Sequence, residues 1–343
     1  MPSDSKLIDV SGKPRFGHFE DVIDHINVED ADYRTPFNKP ASKIRKHFAY
    51  KRFQYLGGVS GDLIFGCAMA DTRYIGAVFV YVYDVKSGEM KTWDLKTPLS
   101  FGMTLTNSQD NGQSRFQKGD KRVVMDFTKL DDGTRCKYLR VEFGNELYID
   151  ARMPEPQGYQ TLALCIPSSI NGWVYAQKTA ALPVLGEVRS ALGNYDLGEA
   201  GCFGHTDYSA GFMRRETFWN WACFSGINNG EQVGLNLSWG VNETGYTENC
   251  FWVGNQLHAM PQVQFTLDRD EPEAPWKITS ADGRVDLVFT PQGRYEAQVN
   301  ALLMATNFKQ IFGQFNGRLL DSEGREYPIS QVYGFVEDQY AKW

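Results

Sequence analysis

The stretch Tyr74-Ile-Gly-Ala-Val-Phe-Val-Tyr-Val-Tyr83 decides the fold class of the chain. It is too rich in β-branched and aromatic side chains to prefer a helix, and it therefore predicts a β-strand. Nearby segments have the same character and are separated by turn residues such as Lys86-Ser87-Gly88. The predicted strands of the first half of the chain are 62–70, 74–83, 121–128, 136–143 and 146–152.

A second series of predicted strands begins near residue 170. Hairpin-type turns at Asn228-Asn229-Gly230, Gly254-Asn255 and Asp282-Gly283 separate its members, and helical spacing of apolar residues is scarce. Short strands without intervening helices predict an all-β, antiparallel sandwich or barrel. The segments are 174–178, 184–188, 212–224, 232–239, 250–253, 256–267, 276–280, 284–289, 296–305, 308–320 and 327–336.

The two strand series predict two domains, which also suits the length of 343 residues. Residues 1–45 are polar and irregular and predict an N-terminal arm laid over a domain. A turn-rich join near 165–180 separates the two series. We therefore predict a first β domain over 46–170 and a second over 171–343.

Composition and charge exclude several classes of partner. The chain has 35 basic and 42 acidic side chains, a net charge of −7, which argues against a nucleic-acid-binding surface of clustered Lys and Arg. It contains no apolar run long enough to span a bilayer, and its start lacks the features of a secretory signal. We therefore expect a cytoplasmic protein without nucleic acid or a transmembrane segment.

The cysteines and histidines do not have metal-ligand spacing. The six cysteines include no C-x-x-C pair, and the five histidines form no H-x-x-x-H pair. Most cysteines lie among apolar neighbours, which predicts buried, inert thiols. We expect neither a metal nor a cofactor.

The segment Gly204–Phe224 contains the densest group of polar and aromatic residues. If 212–223 is one strand, alternation places Arg215, Trp219 and Trp221 on one face and Arg214 on the other. One interpretation is a cavity wall on which the tryptophans and arginines contact a ligand. The other is that the tryptophans fill a core and that the arginines lie near strand ends.

Three residues are candidates for acid–base catalysis. His205 and Asp207 point to one side if their segment is extended, and a carboxylate beside an imidazole can exchange protons near neutral pH. Glu248 lies between a polar loop and the aromatic run Cys250-Phe251-Trp252, where it could reach the mouth of a barrel. The opposing interpretation is that the H-x-D pair belongs to a solvated loop.

Further ligand-binding candidates lie in three later stretches. Asn249 follows Glu248, and Trp276 begins a hairpin in which it could contact a ligand or only pack. Gln310 belongs to a row of amides on one strand face, which could donate to the oxygens of a ligand. Glu337 could be a proton donor if burial raised its pKa.

Three motifs together resemble a known family, that of domain of unknown function 2804. They are Asp207-Tyr-Ser-Ala-Gly211 leading into Trp219-Asn-Trp221, the hairpin from Pro275 to Pro291, and Gln310 through Gly317. The resemblance extends from about residue 15 to Trp343. It implies a distant relationship to carotenoid 1,2-hydratase (hydroxyneurosporene synthase) and AttH-like proteins, and hence two consecutive lipocalin-like β-barrels with few short helices.

The resemblance also suggests a chemistry, although the family itself implies no reaction. The distant hydratases are thought to protonate an isoprenoid double bond with acidic and aromatic residues in a barrel cavity. Asp207 and the pair Trp219 and Trp221 are the nearest counterparts here. Ala210 stands where the pattern leads us to look for an arginine, a role that Arg214 or Arg215 would have to take.

Three functions follow as hypotheses. The first is binding of a hydrophobic or amphipathic small molecule in a barrel cavity. The second is a cofactor-independent hydratase, isomerase or cyclase that uses acid catalysis, with tryptophans stabilising a cationic intermediate. The third is a structural or interaction protein without a ligand. The sequence leaves the oligomeric state open.

Overall fold

A computed structural model defines residues 6–241, 244–301 and 304–343. Strands make up 62% of it and helices 3%, which confirms the all-β prediction. A short 3-10 helix spans Val28–Asp30, and the α-helix α1 spans Lys43–Ala49. The α-helix begins at Ser42, whose hydroxyl accepts a hydrogen bond from the backbone of Arg45.

The first sheet is antiparallel and has eight strands. In spatial order they are β1 (Gly17–His18), β11 (Leu162–Pro167), β12 (Trp173–Pro183), β15 (Phe203–Gly211), β2 (Lys51–Val59), β3 (Leu63–Asp71), β4 (Ile75–Asp84) and β5 (Met90–Pro98).

The second sheet has seven strands and packs against the first. Its spatial order is β14 (Gly193–Asp196), β13 (Leu185–Ser190), β10 (Leu147–Pro154), β9 (Arg135–Phe143), β8 (Lys121–Lys129), β7 (Gly112–Lys118) and β6 (Met103–Thr104). Alternate residues of its strands, such as Val123, Met125 and Phe127, are buried in one core with Phe65 and Val80 of the first sheet. The two sheets therefore pack face to face around a shared core and form one barrel-like unit.

The third sheet has nine strands and curls around a core of its own. Its spatial order is β19 (Gln256–Ala259), β18 (Cys250–Val253), β17 (Glu231–Trp239), β16 (Glu216–Asn228), β24 (Glu326–Lys342), β23 (Met304–Leu320), β22 (Val285–Ala301), β21 (Trp276–Ser280) and β20 (Val263–Thr266). The edge strands β19 and β20 follow each other in the chain, so the sheet returns on itself. Leu235, Ile278 and Phe315 fill its interior.

The outer face of the third sheet packs on the first sheet. Trp221 of β16 and Phe335 of β24 meet Tyr55 of β2, with ring centroids 5.0 Å apart for Trp221 and Phe335 and 5.9 Å apart for Tyr55 and Trp221. Tyr81 of β4 and Phe312 of β23 extend this aromatic cluster. This aromatic cluster is thus a third apolar layer, which joins the core of the first two sheets to the core of the third sheet.

The boundary predicted near 165–180 falls inside the first sheet. β11 and β12, which flank it, pair with each other, and β15 pairs with both β12 and β2. The chain passes to the third sheet only after Gly211, over residues 212–215. A division into separate domains remains a prediction, and by sheet membership its boundary would lie at 212–215.

The N-terminal arm lies over the outer face of the first sheet. Leu7, Ile23 and Ile26 are buried there against Tyr175 and Tyr208. Nδ2 of Asn27 donates to the carbonyl of Ile8. This hydrogen bond satisfies polar groups that are buried inside this layer.

Candidate functional site

A cavity opens between the first and third sheets, beyond the aromatic cluster that joins them. It has two adjoining compartments, which share Phe53, Ala70, Trp219, Trp221 and Glu337 among their walls. The larger compartment has a volume of about 360 Å³ and the smaller about 130 Å³. The sequence predicted a cavity inside a barrel, but this cavity lies between two sheets, and the interior of the third sheet is filled by core side chains.

Apolar side chains dominate the walls of the larger compartment. Phe79 of β4 stacks on Tyr295 of β22 with ring centroids 4.4 Å apart, and Phe308 of β23 completes this aromatic wall. Small side chains from both sheets leave room beside these rings. The alanines lining the compartment are Ala68, Ala70, Ala77, Ala297, Ala305 and Ala341.

Alternation along β16 brings the two tryptophans to the cavity. Trp219 and Trp221 face the first sheet, whereas Ala222 and Phe224 face the core of the third sheet and Phe218 is exposed. The alternation predicted for this segment is confirmed from residue 216 onward. The strand predicted over 212–223 begins four residues too early, because β16 spans Glu216–Asn228 and Phe212 packs against the N-terminal arm instead.

A buried ion cluster forms the floor of the smaller compartment. Nζ of Lys178 on β12 lies 2.9 Å from Asp207 Oδ2 and 3.1 Å from Glu248 Oε1, and all three side chains are buried. The ammonium group also lies 5.1 Å from the ring centroid of Trp221. The register of β12 and β15, which pairs Lys178 directly with Asp207, fixes this contact.

Burial and mutual attraction shift the pKa values of Lys178 and Asp207 in this cluster. Burial alone would lower the pKa of Lys178, but Asp207 and Glu248 more than offset burial and raise it. Burial raises the pKa of Asp207, while Lys178 opposes that shift and Glu248 adds to it. Lys178 therefore keeps its proton, while Asp207 holds a proton more readily than an exposed carboxyl group does.

Glu337 of β24 stands where the two compartments meet. Its Oε2 accepts from Trp219 Nε1 at 2.9 Å and its Oε1 accepts from Gln310 Nε2 at 3.1 Å. Burial raises its pKa to about 7 in spite of these hydrogen bonds. The carboxyl group can therefore both give and take a proton near neutral pH.

His205 lies beneath the cavity and is not part of its wall. Its Nε2 is 3.0 Å from the hydroxyl of Tyr55, which is 2.7 Å from the hydroxyl of Tyr81. Burial lowers the pKa of His205 to about 3, so the ring is neutral at physiological pH. The proton exchange expected between His205 and Asp207 thus has no support in this geometry.

The remaining sequence candidates divide by position. Arg214 lines the smaller compartment, and its Nε donates to the carbonyl of Ser168 at 2.6 Å. Arg215 is exposed and lies outside both compartments. Asn249 and Trp276 are away from the cavity as well: Asn249 bonds to the backbone of Ser238 and Pro261, and Trp276 packs in the core of the third sheet.

Lys178 and Trp343 are cavity residues that the sequence candidates do not include. A signal for Lys178 is present, because a single lysine in the otherwise uncharged strand Trp173–Pro183 must be paired if both strand faces are covered. Trp343 carries no such signal. Its placement depends on the long strand β24 and on a backbone hydrogen bond to Arg215.

No group of three potential metal-binding side chains occurs among residues 6–241, 244–301 and 304–343. The six cysteines are free and buried, as predicted. Burial raises the pKa of thiols such as Cys67 and Cys202, so they are poor nucleophiles. In the same described ranges, no helix is long and apolar enough to cross a membrane.

Comparisons with known proteins agree with this architecture. A family model described as "Domain of unknown function (DUF2804)" matches residues 3–343. None of the curated proteins matches the chain significantly. Solved structures do match it, each at low sequence identity.

A protein assigned as an AttH from Nitrosomonas europaea superposes with a TM-score of 0.50 and 11% identity, over 84% of this chain and 91% of that one. CghA in complex with Sch210972 gives the same TM-score and identity, over 85% of this chain and 88% of that one. Kievitone hydratase from Nectria haematococca gives a TM-score of 0.44 and 12% identity, over 85% and 89%. The first two show that the fold is shared.

Proposed function

The chain belongs to the DUF2804 family, as its motifs predicted, and from this premise we propose that it binds a hydrophobic or amphipathic small molecule between its first and third sheets. The observation that carries the proposal is the larger compartment, about 360 Å³ in volume and lined by aromatic residues and alanines. Ligand sites in proteins are typically concave and mostly apolar, with a few placed polar groups. Glu337, Gln310 and Gln339 are such groups here.

The comparison with CghA supports this proposal in one respect. That protein shares the fold and is seen with a small molecule, Sch210972, so the architecture is compatible with a guest. The identity of that molecule does not transfer, because the two chains are only 11% identical.

Mass spectrometry of the purified protein for co-purifying apolar molecules, followed by titration calorimetry with the one recovered, tests the proposal. Ala70 lines both compartments, so Ala70→Phe should fill their junction and weaken binding about tenfold or more. Thr290→Phe, on an exposed position of β22, is the matched control and should bind normally. Equal binding by the wild type and by Ala70→Phe would place the guest elsewhere.

Acid catalysis on the guest is a second candidate, and Glu337 is the observation that favours it. Its carboxyl group, with a pKa of about 7, stands beside Trp219 and Trp221. Protonation of a carbon–carbon double bond by Glu337 would leave a cation that the indole faces stabilise. In hydration, water adds to the cation and then returns a proton to the carboxylate. In isomerisation, a carbon next to the cation loses a proton to the carboxylate instead.

Deuterium incorporation from heavy water into an acyclic terpene alkene such as myrcene tests this candidate. We expect incorporation by the wild type and a loss of at least about a hundredfold in Glu337→Gln. Glu216→Gln, which removes an exposed carboxyl group on β16, is the control and should retain activity. Incorporation that survives Glu337→Gln would exclude Glu337 as the acid.

A further inference from the structure

A polar strip crosses the otherwise apolar wall of the larger compartment. Glu337 and Gln339 are alternate residues of β24 and face the cavity together. In the register of β23 and β24, Gln310 lies opposite Glu337, and Thr306 lies two pairs beyond Gln339, opposite Ala341 and on the same side of the sheet. These residues come from adjacent strands in the middle of the sheet, so their positions are rigidly set.

Gln339 has an unused acceptor in this strip. Its Nε2 donates to the carbonyl of Tyr340 and to Oγ1 of Thr306, both at 2.9 Å, and the carbonyl identifies that end of the amide as the nitrogen. Its Oε1 has no hydrogen-bond partner within the described part of the chain, although the residue is only 7% exposed. A buried carbonyl oxygen without a donor is costly, so this site lacks an O–H or N–H group.

The charges around the strip exclude a guest that carries its own negative charge there. Glu337 adjoins Asp207, whose charge raises the pKa of Glu337. Lys178, a buried cation of the same cavity, is already bonded to Asp207 and Glu248. A carboxylate in this position would therefore lose its hydration and meet carboxyl groups.

We infer that the guest is a neutral, apolar alcohol, whose hydroxyl group donates to Gln339 Oε1 beside Glu337 while its hydrocarbon part lies against Phe79, Tyr295 and Phe308. This inference rests on the proposed binding function and specifies its ligand class. The hydroxyl group supplies the donor that the polar strip lacks, and its neutrality suits the acidic surroundings. The alanine-lined wall leaves the hydrocarbon part room without offering it polar groups.

Three probes of matched length separate the possible outcomes: decanol, its methyl ether and decanoate. Titration calorimetry of the full chain should give the tightest binding for decanol, with the ether and decanoate each about tenfold weaker or more. The ether keeps the oxygen but has no donor, and decanoate adds the charge. If no probe binds, the proposed function fails; if the ether equals decanol, only the alcohol inference is overturned.

A variant of Gln339 tests whether the hydroxyl group of the guest binds at the polar strip. Gln339→Met keeps a side chain of similar length without the acceptor, and it should reduce the advantage of decanol over its ether to less than about twofold. Gln298→Met, at an exposed position of β22, should leave that advantage intact. An unchanged advantage in a folded Gln339→Met would overturn the assignment.

The rim of the cavity offers the alternative contact. Lys342 lines the larger compartment close to solvent. Tight decanoate binding that falls in Lys342→Met would mean that rim cations hold a head group, and it would overturn the inference. The comparison among the three probes on the wild type decides the matter even if Gln339→Met does not fold.

Discussion

Lys178 is the residue on which the charged end of the cavity depends. Its ammonium group forms ion pairs with both Asp207 and Glu248, and all three side chains are buried. Lys178→Met should destabilise the protein by about 3–5 kcal/mol, because it leaves buried carboxylates without their cation. Urea unfolding measures this loss. Adding Asp207→Asn and Glu248→Gln to Lys178→Met should recover most of the lost stability. If Lys178→Met alone lowered the free energy of unfolding by less than about 1 kcal/mol, that result would contradict the ion pairing.

Glu337 should make stability depend on pH. Its pKa is raised from 4.5 to about 7 in the folded protein, so the folded state holds the proton more tightly than the unfolded state. The resulting destabilisation is absent below the pKa that Glu337 has in the unfolded state. It grows as the pH rises towards the pKa that Glu337 has in the folded state, and it is constant above that value. Glu337→Gln should therefore gain roughly 2–3 kcal/mol relative to the wild type between about pH 4 and pH 8.

Paired urea unfolding curves of the wild type and Glu337→Gln across that pH range test the prediction. Glutamine also changes the hydrogen bonds of Glu337, but that effect on stability is the same at every pH. The variation of the stability difference with pH therefore reports the titration of Glu337 alone. Glu216→Gln should show no such trend, since Glu216 is exposed. A stability difference that is flat with pH would show that Glu337 is not the titrating group.

Seven of the eleven candidates from the sequence line the cavity. Among them, alternation along a strand favoured Trp219, and residue type favoured Asp207 and Glu337. Trp276 and Asn249 have the same residue types but serve packing and backbone hydrogen bonds. Whether an aromatic or amide side chain meets a ligand or a core depends on which sheet covers it, and spacing along one strand does not contain that information.

At the scale of elements, β17 comes very close to β12. A Cβ atom on Gly234 would lie 2.7 Å from Cβ of Ala180, nearer than side chains tolerate. Gly234→Val should therefore force the strands apart and cost about 1–3 kcal/mol, as measured by urea unfolding. Gly226→Ala is the matched control on the preceding strand, because its Cβ would meet only Val332 at 3.7 Å. Equal stability of the two variants would contradict the close approach.

Strand composition explains which elements could be predicted. The segments at 74–83 and 276–280 correspond to β4 and β21, since their β-branched and aromatic residues favour strands wherever they are placed. β15 was not among the predicted strands, and its H-x-D pair could equally have belonged to a solvated loop, because glycine, serine and aspartate disfavour strands. Its extended state comes from pairing with β12 on one side and β2 on the other.

At the scale of the whole molecule, the third sheet needs the first. Its outer face carries Trp221, Phe312 and Phe335, all buried by Tyr55 and Tyr81. Residues 216–343 expressed alone should expose this face, and we expect self-association on size-exclusion chromatography together with binding of an apolar-surface dye. A fragment that is monomeric and does not bind the dye would show that the aromatic cluster is dispensable for the third sheet.

The general architecture could be predicted from the residues, but the position of the cavity could not. A cavity inside a barrel was expected, and the interior of the third sheet is instead occupied by Leu235, Ile278 and Phe315. Which face of a curled sheet remains partly uncovered depends on contacts between sheets that are distant in sequence. Such contacts leave no periodic pattern in either partner.

A cavity that lies in the seam between two separately packed bodies has an evolutionary consequence. Residues such as Ala68, Ala77 and Ala297 can change size without leaving a hole in either hydrophobic core. Selection can therefore alter the length and shape of the cavity while the scaffold keeps its stability. Family members with this fold should consequently diverge in ligand preference much faster than in architecture.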